Sequence, residues 1–564
     1  DERDFLQHSD RDALQRESQE IFTLISDLPN ETDEAQLLAD CDTILTKLTA
    51  LPEQRRNFIE QFGVIPIMAM LELPQSCVVP VALKVMIKVV EDNPKVLQHL
   101  SMLGMIPILV RLASQPEAQG AVRMEAAQVI DQICQHSNLT LQMFIGCGGL
   151  PLIVHLMSTC TDLRSNEMHT RLAHTVVDAV LRVVMLQSSE QQTIPTNDFC
   201  RLFSKLGLVP LLTGVFNQFI DMYDASVERQ AEVGPELWSP IEKISDILSS
   251  ISRSYPTVKA HMALEGGVVE GIMRLLEPKS RSQLDHPRHA RLVLVLLKCI
   301  KNMSMEPKTL RSIEQAGAIR ALVLLLGRRH SPYYKDVENL VLQCAFYLCR
   351  VSRRRQEQAA KFGIIPHLQK CIIEKSPLKQ FALPIVCDLA HTSQQAREQL
   401  KNNGGVQFYI ILLSEQYWQT SALNSLAVWL KEDVTYVEPE LTAPENVAQL
   451  VNLFTNAESR NLENILEPLH EMMGKSTELV QALGQSEPFL QGTAKRLSDE
   501  RTRAIVRKSV LQMLRAVLRL HADPARAVDR CGFRTIIVEL SQREEQVLVM
   551  EIAKEMVTEF ISCR

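Results

Sequence analysis

One short phrase recurs along the chain and constrains the fold more than any other feature. It consists of a glycine, one or two small apolar residues, often a proline, and then a hydrophobic run, as in GIIPHLQKCI. The phrase begins at Gly63, Gly104, Gly149, Gly207, Gly267, Gly317, Gly363 and Gly405. Successive glycines are separated by 41, 45, 58, 60, 50, 46 and 42 residues. The sequence therefore contains an internal repeat.

Each phrase is interpreted as a corner between two helices. We expect the glycine to adopt the left-handed C-terminal cap conformation, and the next helix accepts proline because a first-turn N–H is unpaired anyway. A longer amphipathic segment follows, for example 78–90 or 121–134. Three helices in about 40 to 47 residues are typical of armadillo and HEAT repeats, whereas TPR and ankyrin periods are about 33 to 34. The sequence predicts an all-α, armadillo/HEAT-like, right-handed helical solenoid of about ten repeats.

The spacing and the charge distribution divide the chain into segments. We predict an acidic N-terminal helical cap or linker over 1–45, the armadillo-repeat solenoid over 46–440, and degenerate repeats with a basic C-terminal cap over 441–564. Residues 1–60 hold 15 acidic and 6 basic side chains. The wide spacings of 58 and 60 leave room for insertions or longer helices, for instance one over 228–251.

Basic side chains concentrate near the C-terminus. Residues 495–530 carry ten Lys or Arg against four Asp or Glu. Several of the cations share an amphipathic helical pattern: Arg503, Arg507, Lys508, Arg515 and Arg519. A solvated helix face is favoured over a docking surface for an acidic partner.

Length, charge and hydropathy favour protein partners. The 564 residues exceed what one hydrophobic core usually supports. The formal net charge of −7 gives no reason to expect nucleic acid or an anionic membrane as a ligand. Apolar runs such as 321–326 are far shorter than the roughly 18 residues that a membrane span needs. We therefore predict no membrane span.

Motifs that carry chemistry are missing from the sequence. It has no Gly-rich phosphate loop, no HRD or DFG motif of a kinase, no HExxH and no GxSxG. The 13 cysteines form no CxxC pair and no zinc-spaced cluster, so they are expected to be small buried hydrophobes in a reducing compartment. Cys387 and His391 share a helix face but lack an orienting third group, which favours a structural role. We predict no catalytic residue, metal or cofactor.

A solenoid of this kind offers a concave face lined by the third helix of each repeat. Polar or aromatic residues within otherwise apolar helices are candidate contacts for a partner. These candidates are Lys84, Lys88, Arg123, Lys298, Lys301, Gln343, Arg350, Arg353, Arg354, Arg355, Asp388 and Trp418. Each has a simpler interpretation, since Lys84 and Lys88, one turn apart, also fit a solvated face. Trp429, within LAVWL, is expected in the core.

Four of these candidates place guanidinium groups close together at a repeat corner, namely Arg350 and the run from Arg353 to Arg355. Like charges repel, so a bound acidic or phosphorylated segment is one interpretation, and an unpaired surface loop is the other. We expect these arginines to be exposed and to contribute little to folding, roughly within 0.5 kcal/mol each.

Several stretches resemble one known family more closely than a shared repeat requires. They are RMEAAQVIDQICQHSNLTLQMFIGCGGLP (123–151), NDFCRLF (197–203), RRRQEQAAKFGIIPHL (353–368), SPLKQFALPIVCDLAHTSQQAREQL (376–400) and NILEPL (464–469). These are similar to the C-terminal half of plant MAP kinase kinase kinase epsilon and of its fungal relatives, the septation-initiation and mitotic-exit network kinases. The resemblance is densest between 353 and 430. A fungal source is favoured, because the N-terminal repeats diverge more from the plant pattern.

The resemblance implies a function. In that family a Ser/Thr kinase domain precedes the helical region, so this chain, which begins at Asp1, is expected to be the regulatory part of a longer kinase and not itself an enzyme. The implied role is to couple the kinase to a small Ras-like GTPase and to a spindle-pole-body scaffold protein, in the cytoplasm and at the division site. The alternative is a self-association module that forms a homodimer without direct GTPase contact.

Overall fold

The computed structural model describes residues 2–93, 95–115, 119–136, 138–186, 198–229, 233–264, 267–277, 286–328 and 332–561. Every regular element within these ranges is a helix, which confirms the predicted all-α class. The chain forms two compact units. The N-terminal unit covers 1–316 with 331–333, and the C-terminal unit covers 317–330 with 334–564.

The N-terminal unit opens with two helices, Glu2–Asp27 and Glu34–Ala50, joined by the 3-10 turn Leu28–Asn30. Groups of three helices follow, in the order first, second and third. Their bounds are Pro52–Phe62, Ile65–Met70 and Val78–Asp92; Lys95–Met102, Met105–Ser114 and Gly120–His136; Asn138–Gly146, Gly149–Ser158 and Glu167–Leu186; Asp198–Lys205, Leu208–Glu228 and Pro235–Ser252; Pro256–Leu264, Val268–Leu276 and Pro287–Ser304. The unit ends with the 3-10 turn Pro307–Thr309 and the helix Leu310–Gln315.

The C-terminal unit begins with a second and a third helix, Ala318–Leu326 and Tyr334–Cys349. Five complete groups follow within the described residues. Their bounds are Arg353–Lys361, Ile365–Ile373 and Lys379–Leu389; Gln394–Asn402, Gly405–Leu412 and Gln419–Glu432; Val434–Leu441, Pro444–Asn456 and Ser459–Met473; Thr477–Gln485, Glu487–Ser498 and Ala504–Leu520; Pro524–Arg530, Phe533–Arg543 and Val547–Phe560. The three-helix period therefore continues to the end of the described chain.

Within each unit every third helix packs on the third helix of the next group, and we call this stack the third-helix row. The helices of this row bury residues at the same four relative positions. Ala82, Leu83, Val85 and Met86 lie in the core of the first group, and the corresponding positions of the later groups, apart from the last helix Val547–Phe560, are also buried. Because each group buries its apolar face only against its neighbours, each unit is a repeat solenoid of the predicted armadillo type.

Most predicted corner glycines adopt the expected conformation. The residues with φ between 68° and 93° include Gly63, Gly104, Gly207, Gly267, Gly317 and Gly363. Gly532, which starts the last predicted corner, has φ 72°. The backbone is left-handed in both φ and ψ at Gly104, Gly207, Gly267, Gly317 and Gly532, as the repeated phrase predicts. Gly63 departs from the prediction, because it combines φ 69° with ψ −159°.

At two corners the prediction selected the wrong member of a glycine pair. The left-handed residues are Gly148 and Gly404, with φ of 86° and 64°, and not Gly149 and Gly405. The second glycine of each pair instead begins the following helix. A Cβ on Gly149 would overlap the Phe144 ring, and one on Gly405 would lie 2.9 Å from Trp429 Cζ3. The second glycine is thus required for close packing, whereas the first is required for the turn.

The expected helix over 228–251 is also corrected. The second helix of that group extends to Glu228, and the third begins only at Pro235. Gly234 is extended, with φ −71° and ψ 166°, and the proline occupies the first turn. The Gly-Pro pair therefore separates two long helices, because proline favours an extended residue before it.

We predict that Gly363→Val lowers the free energy of unfolding by more than about 1 kcal/mol, because a β-branched residue is strained at φ 93°. A Cβ at this position would meet no atom within 4 Å, so the cost would come from the backbone alone. The control is Gly363→Asn, which tolerates the left-handed region better and should lose less. Equal urea midpoints for wild type and the valine variant would contradict this account.

Candidate partner-binding surface

The third-helix row presents a repeated, partly or fully exposed position between its buried residues, and in all but one of the repeats named below this position is polar. In the first group Lys84 lies between the buried Leu83 and Val85. The corresponding positions in the N-terminal unit are Lys84, Gln128, Asp178, Asp246 and Lys298, and in the C-terminal unit they are Gln343, Pro384, Asn424, Glu467 and Gln512. Each of these side chains is partly or fully exposed. Three predicted candidates, Lys84, Lys298 and Gln343, therefore belong to a repeated surface position.

Carboxylates balance the cations on the third-helix row of the N-terminal unit. Lys88 forms an ion pair with Glu91 at 2.7 Å. Burial raises the pKa of Glu125, and the charge of Lys84 opposes that rise. Burial likewise raises the pKa of Asp246, opposed by Arg291 and Lys298.

Further charge pairs join neighbouring third helices of this unit. Arg182 Nε contacts Asp131 Oδ1 at 2.7 Å, and Lys243 contacts Asp178. Arg123 and Lys301 are half-buried on their third helices. The structure thus brings most N-terminal candidates together with acidic neighbours, so this face is not a concentrated cationic site.

In the arginine cluster of the C-terminal unit three side chains are exposed, whereas the fourth forms a hydrogen bond within the fold. Arg350 directly follows the helix Tyr334–Cys349, and Arg350, Arg353 and Arg354 are exposed. Arg355 is half-buried, and its Nη1 donates a hydrogen bond of 2.9 Å to the carbonyl oxygen of Leu348. The expectation that all four are exposed is therefore wrong for Arg355. The last carbonyls of a helix lack backbone donors, and Arg355 supplies one.

Asp388 belongs to a hydrogen-bond network centred on a buried glutamine. Gln356 is 5% exposed, and its Nε2 donates to the carbonyl oxygen of Cys349 at 2.9 Å and to Asp388 Oδ2 at 3.2 Å. Its Oε1 accepts from Thr392 Oγ1 at 2.8 Å. Burial raises the pKa of Asp388, while His391 and Gln356 oppose the rise. This candidate therefore has a structural role that the sequence did not reveal.

The same arrangement recurs at two other corners. Arg55 Nη1 donates to the carbonyl oxygen of Leu48, and Arg55 Nε pairs with Asp92 at 2.7 Å. Arg397 Nη1 donates to the carbonyl oxygen of Ala390 at 3.2 Å, and Nη2 pairs with Glu432 at 3.1 Å.

We call this arrangement the corner clamp. A side chain on a first helix bonds the carbonyl seven residues earlier, at the end of the helix before it, and a carboxylate near the end of the following third helix. The side chains at its centre are Arg55, Gln356 and Arg397. One side chain thereby joins three helices.

Two separate pairs of aromatic side chains lie on or next to third helices of the C-terminal unit, and of these four residues only Trp418 was a predicted candidate. Trp418 is half-buried, and its ring centroid lies 5.3 Å from that of Tyr417, which is 85% exposed. Phe346 and Phe381, on adjacent third helices, have ring centroids 5.8 Å apart. Phe346 and Phe381 occupy helix positions that the repeat pattern does not bury, and this is the sequence signal that could have identified them. Trp429 is 1% exposed, as predicted for a core residue.

Cations of the basic C-terminal helix are largely paired with the next repeats. Arg507 pairs with Glu544 at 2.7 Å, and both side chains are mostly buried. Arg515 and Arg519 both pair with Glu559, at 2.9 and 2.6 Å. Hydrogen bonds from Arg519 lower the pKa of Glu559. These charges stabilise contacts between repeats, which neither the solvated-face nor the docking interpretation anticipated.

We also considered metal binding, cysteine reactivity and membrane spans in the described part of the chain. No group of three or more His, Cys, Asp or Glu there could hold a metal ion. Burial raises the pKa of the Cys134, Cys299 and Cys349 thiols to about 12, which keeps them protonated and unreactive. No single described helix has the length and apolar composition to cross a membrane, although three sharply bent helix pairs pass on those two criteria.

Comparisons with known proteins find similarity to cytokinesis and cell-division proteins and to a plant protein kinase. It is 30% identical over 569 residues to the cytokinesis protein sepH of Aspergillus terreus, an alignment that covers 99% of this chain and 40% of that protein. It is 26% identical over 521 residues to cell division control protein 7 of Schizosaccharomyces pombe, covering 91% and 46%. With MAP3K epsilon protein kinase 1 of Brassica napus the identity is 26% over 696 residues, covering 90% and 52%. The resemblance to the septation kinases and plant MAP3K epsilon is therefore confirmed.

The chain spans about two fifths to one half of the length of these relatives. No family model matches the sequence. Among solved structures, a chain from a study of a phosphorylation switch controlling the interaction between cadherin and beta-catenin aligns with 14% identity and a TM-score of 0.49, covering 95% of this chain and 98% of that one. A designed armadillo repeat protein aligns with 17% identity and a TM-score of 0.35, covering 50% and 98%.

We predict that Gln356→Met lowers the free energy of unfolding by about 1 to 3 kcal/mol, because it leaves the Cys349 carbonyl and Thr392 without their shared partner. Gln358→Met is the matched control, since Gln358 lies on the same helix outside the clamp and should cost less than about 0.5 kcal/mol. Urea denaturation of both variants makes the comparison. An unchanged midpoint for Gln356→Met would show that the clamp does not stabilise the corner.

Proposed function

We propose that this chain is the regulatory, protein-binding part of a Ser/Thr kinase of septation and mitotic exit. Its alignment over 99% of its length with a cytokinesis protein is the observation that carries the proposal. In this proposal the solenoid couples the kinase to a small Ras-like GTPase and to a spindle-pole-body scaffold protein, and so acts at the pole body and the division site. A repeat solenoid suits this task, because its extended row of helices offers a large surface for protein partners.

The surface proposed for the GTPase lies on the C-terminal unit around Arg350 and Arg353. Both are exposed, and neither forms an ion pair among the described residues. Phe346, one helical turn before Arg350, is half-buried beside Phe381. Exposed cations next to partly exposed aromatic rings are typical of protein interfaces, where arginine and aromatic residues are enriched.

Contrast with the N-terminal unit supports this choice. There Lys88 is paired with Glu91, and Arg182 with Asp131. A paired cation attracts an acidic partner less strongly, because its charge is already balanced nearby. The unpaired arginines therefore make the better site for an acidic or phosphorylated segment of a partner.

Self-association is the second candidate function. Tyr417 is 85% exposed and Val351 is 88% exposed, and both belong to the C-terminal unit. Large apolar side chains at that exposure favour contact with another protein surface, and a second copy of the chain offers one. In this case the chain would dimerise the kinase without contacting the GTPase.

We predict that Arg350→Glu with Arg353→Glu weakens binding to the GTP-loaded septation GTPase by roughly tenfold or more. Helicity and melting temperature should remain nearly unchanged, because exposed arginines contribute little to folding. Binding of the wild type should also fall as salt rises from low to physiological strength. Arg311→Glu with Arg320→Glu is the matched control, since both arginines are exposed and the charge change is the same.

Calorimetry gives the affinity, and size-exclusion light scattering of the same proteins gives the mass. Undiminished affinity in the Arg350 and Arg353 double variant would remove this surface from consideration. A wild-type chain that dimerises but does not bind the GTP-loaded GTPase would instead favour the self-association module.

A further inference from the structure

A basic cavity lies between two repeats of the C-terminal unit. It has a volume of about 300 Å³, and its walls include the end of the second helix Glu487–Ser498 and the loop that leads into the third helix Ala504–Leu520. Four of its lining residues are cationic: Lys495, Arg496, Arg501 and Arg503. Asp499 is the only acidic residue that lines it. The lining therefore carries a net charge of +3, from four cations and one carboxylate.

Arg496 is the cation of this cavity whose guanidinium group is held in place by hydrogen bonds to the backbone. Its Nη2 donates to the carbonyl oxygens of Phe454, Thr455 and Ala457, at 2.6, 3.1 and 3.0 Å. The guanidinium carbon lies 5.2 Å from the centroid of the Phe454 ring. Burial lowers the pKa of Arg496, and no carboxylate among the described residues opposes that effect. A half-buried cation held by neutral groups gains most from a bound anion.

The more exposed cations of the cavity differ in their partners. Lys495 and Arg501 form no ion pair with any described residue. Arg503 pairs with Glu463 at 2.9 Å. Asp499 Oδ1 accepts from the backbone N–H of Arg501 at 3.0 Å, which fixes the loop that carries the cations. Two cations therefore remain available to a ligand.

The helix that starts at the cavity adds to its attraction for anions. Arg503 is the N-cap of Ala504–Leu520, and its side chain does not cap the helix. No described side chain accepts a hydrogen bond from the first-turn N–H groups of this helix, and the helix dipole favours negative charge at this end.

We infer that this cavity binds a phosphate monoester, presented as a phosphoserine or phosphothreonine side chain in an extended segment of a protein partner. Arg and Lys donors recognise phosphate oxygens by charge-assisted hydrogen bonds. A volume near the lower limit for ligand pockets suits one phosphorylated side chain.

A protein segment fits the charge distribution better than a membrane does. Membrane binding through charge uses a broad basic surface. On the helix Ala504–Leu520, Arg507, Arg515 and Arg519 are paired with glutamates of the next repeat. These three arginines therefore do not add to a broad basic surface, whereas Lys495 and Arg501 at the cavity form no ion pair with any described residue. The cavity shares no residue with the Arg350 surface, and phosphate binding there does not depend on the GTPase proposal.

The test measures fluorescence anisotropy of a fluorescein-labelled degenerate peptide pool with one fixed central phosphoserine, against the same pool with serine. The wild-type chain should bind the phosphorylated pool at least about tenfold more tightly. Lys495→Gln with Arg501→Gln should remove that preference. Lys475→Gln with Lys508→Gln is the matched control, because it removes two cations of the same region that do not line the cavity. Its affinity should stay within about twofold of wild type.

Three outcomes would overturn the inference. One is equal binding of the phosphorylated and unphosphorylated pools, and another is an equal loss of affinity in the two double variants. The third is binding to vesicles that contain a phosphoinositide, lost in the cavity variant, without binding of the phosphopeptide pool, which would assign the cavity to a lipid headgroup. Circular dichroism and melting temperatures confirm that both double variants are folded before the affinities are compared.

Discussion

The carbonyl groups at the end of each third helix must find donors, and the geometry of the corners depends on how they do. The chain turns sharply there, so the next helix cannot supply backbone N–H groups to all of them. Arg55, Gln356 and Arg397 solve the problem by reaching back seven residues to a helix-end carbonyl. Shorter side chains make a related bond elsewhere, as Thr309 Oγ1 does to the Met303 carbonyl at 2.6 Å. Because the clamps also reach a carboxylate on the following third helix, they fix the spacing between repeats.

Electrostatic interactions in this protein mostly connect neighbouring repeats. The pairs Arg182 with Asp131 and Arg515 with Glu559 join adjacent third helices of their units. Such ion pairs neutralise cations that, from the sequence alone, would be predicted to bind a partner. The cations that keep their charge available, such as Arg350 and Lys495, form no ion pair with any carboxylate of the described residues. The positions that the packing of repeats leaves unpaired are therefore the ones that we propose for partner recognition.

The fold was predictable because its signals are local. A left-handed glycine and a first-turn proline specify a corner within five residues, and Gly63 and Gly363 have the expected φ. The predictions were wrong where the conformation or exposure of a residue depends on contacts with other helices. Gly405 was chosen over Gly404 because the sequence does not show that Trp429 packs against the second glycine. Arg355 was expected to be free because its acceptor, the Leu348 carbonyl, becomes visible only once the corner is formed. The basic cavity draws its lining from several elements of two repeats and has no local signature.

The clamps are unevenly distributed, and their distribution has a consequence for how the solenoid opens. Those centred on Gln356 and Arg397 lie in consecutive repeats and share the helix Lys379–Leu389, at whose end Asp388 and Ala390 are bonded. In a linear array, fraying starts where the coupling between neighbours is weakest and stops where it is strongest. We therefore expect the stretch 353–432 to be a cooperative segment of the C-terminal unit whose amides exchange with deuterium last. That stretch nearly coincides with the region of densest family resemblance, so the part of the unit expected to resist opening is also the part in which the family's sequence pattern is clearest.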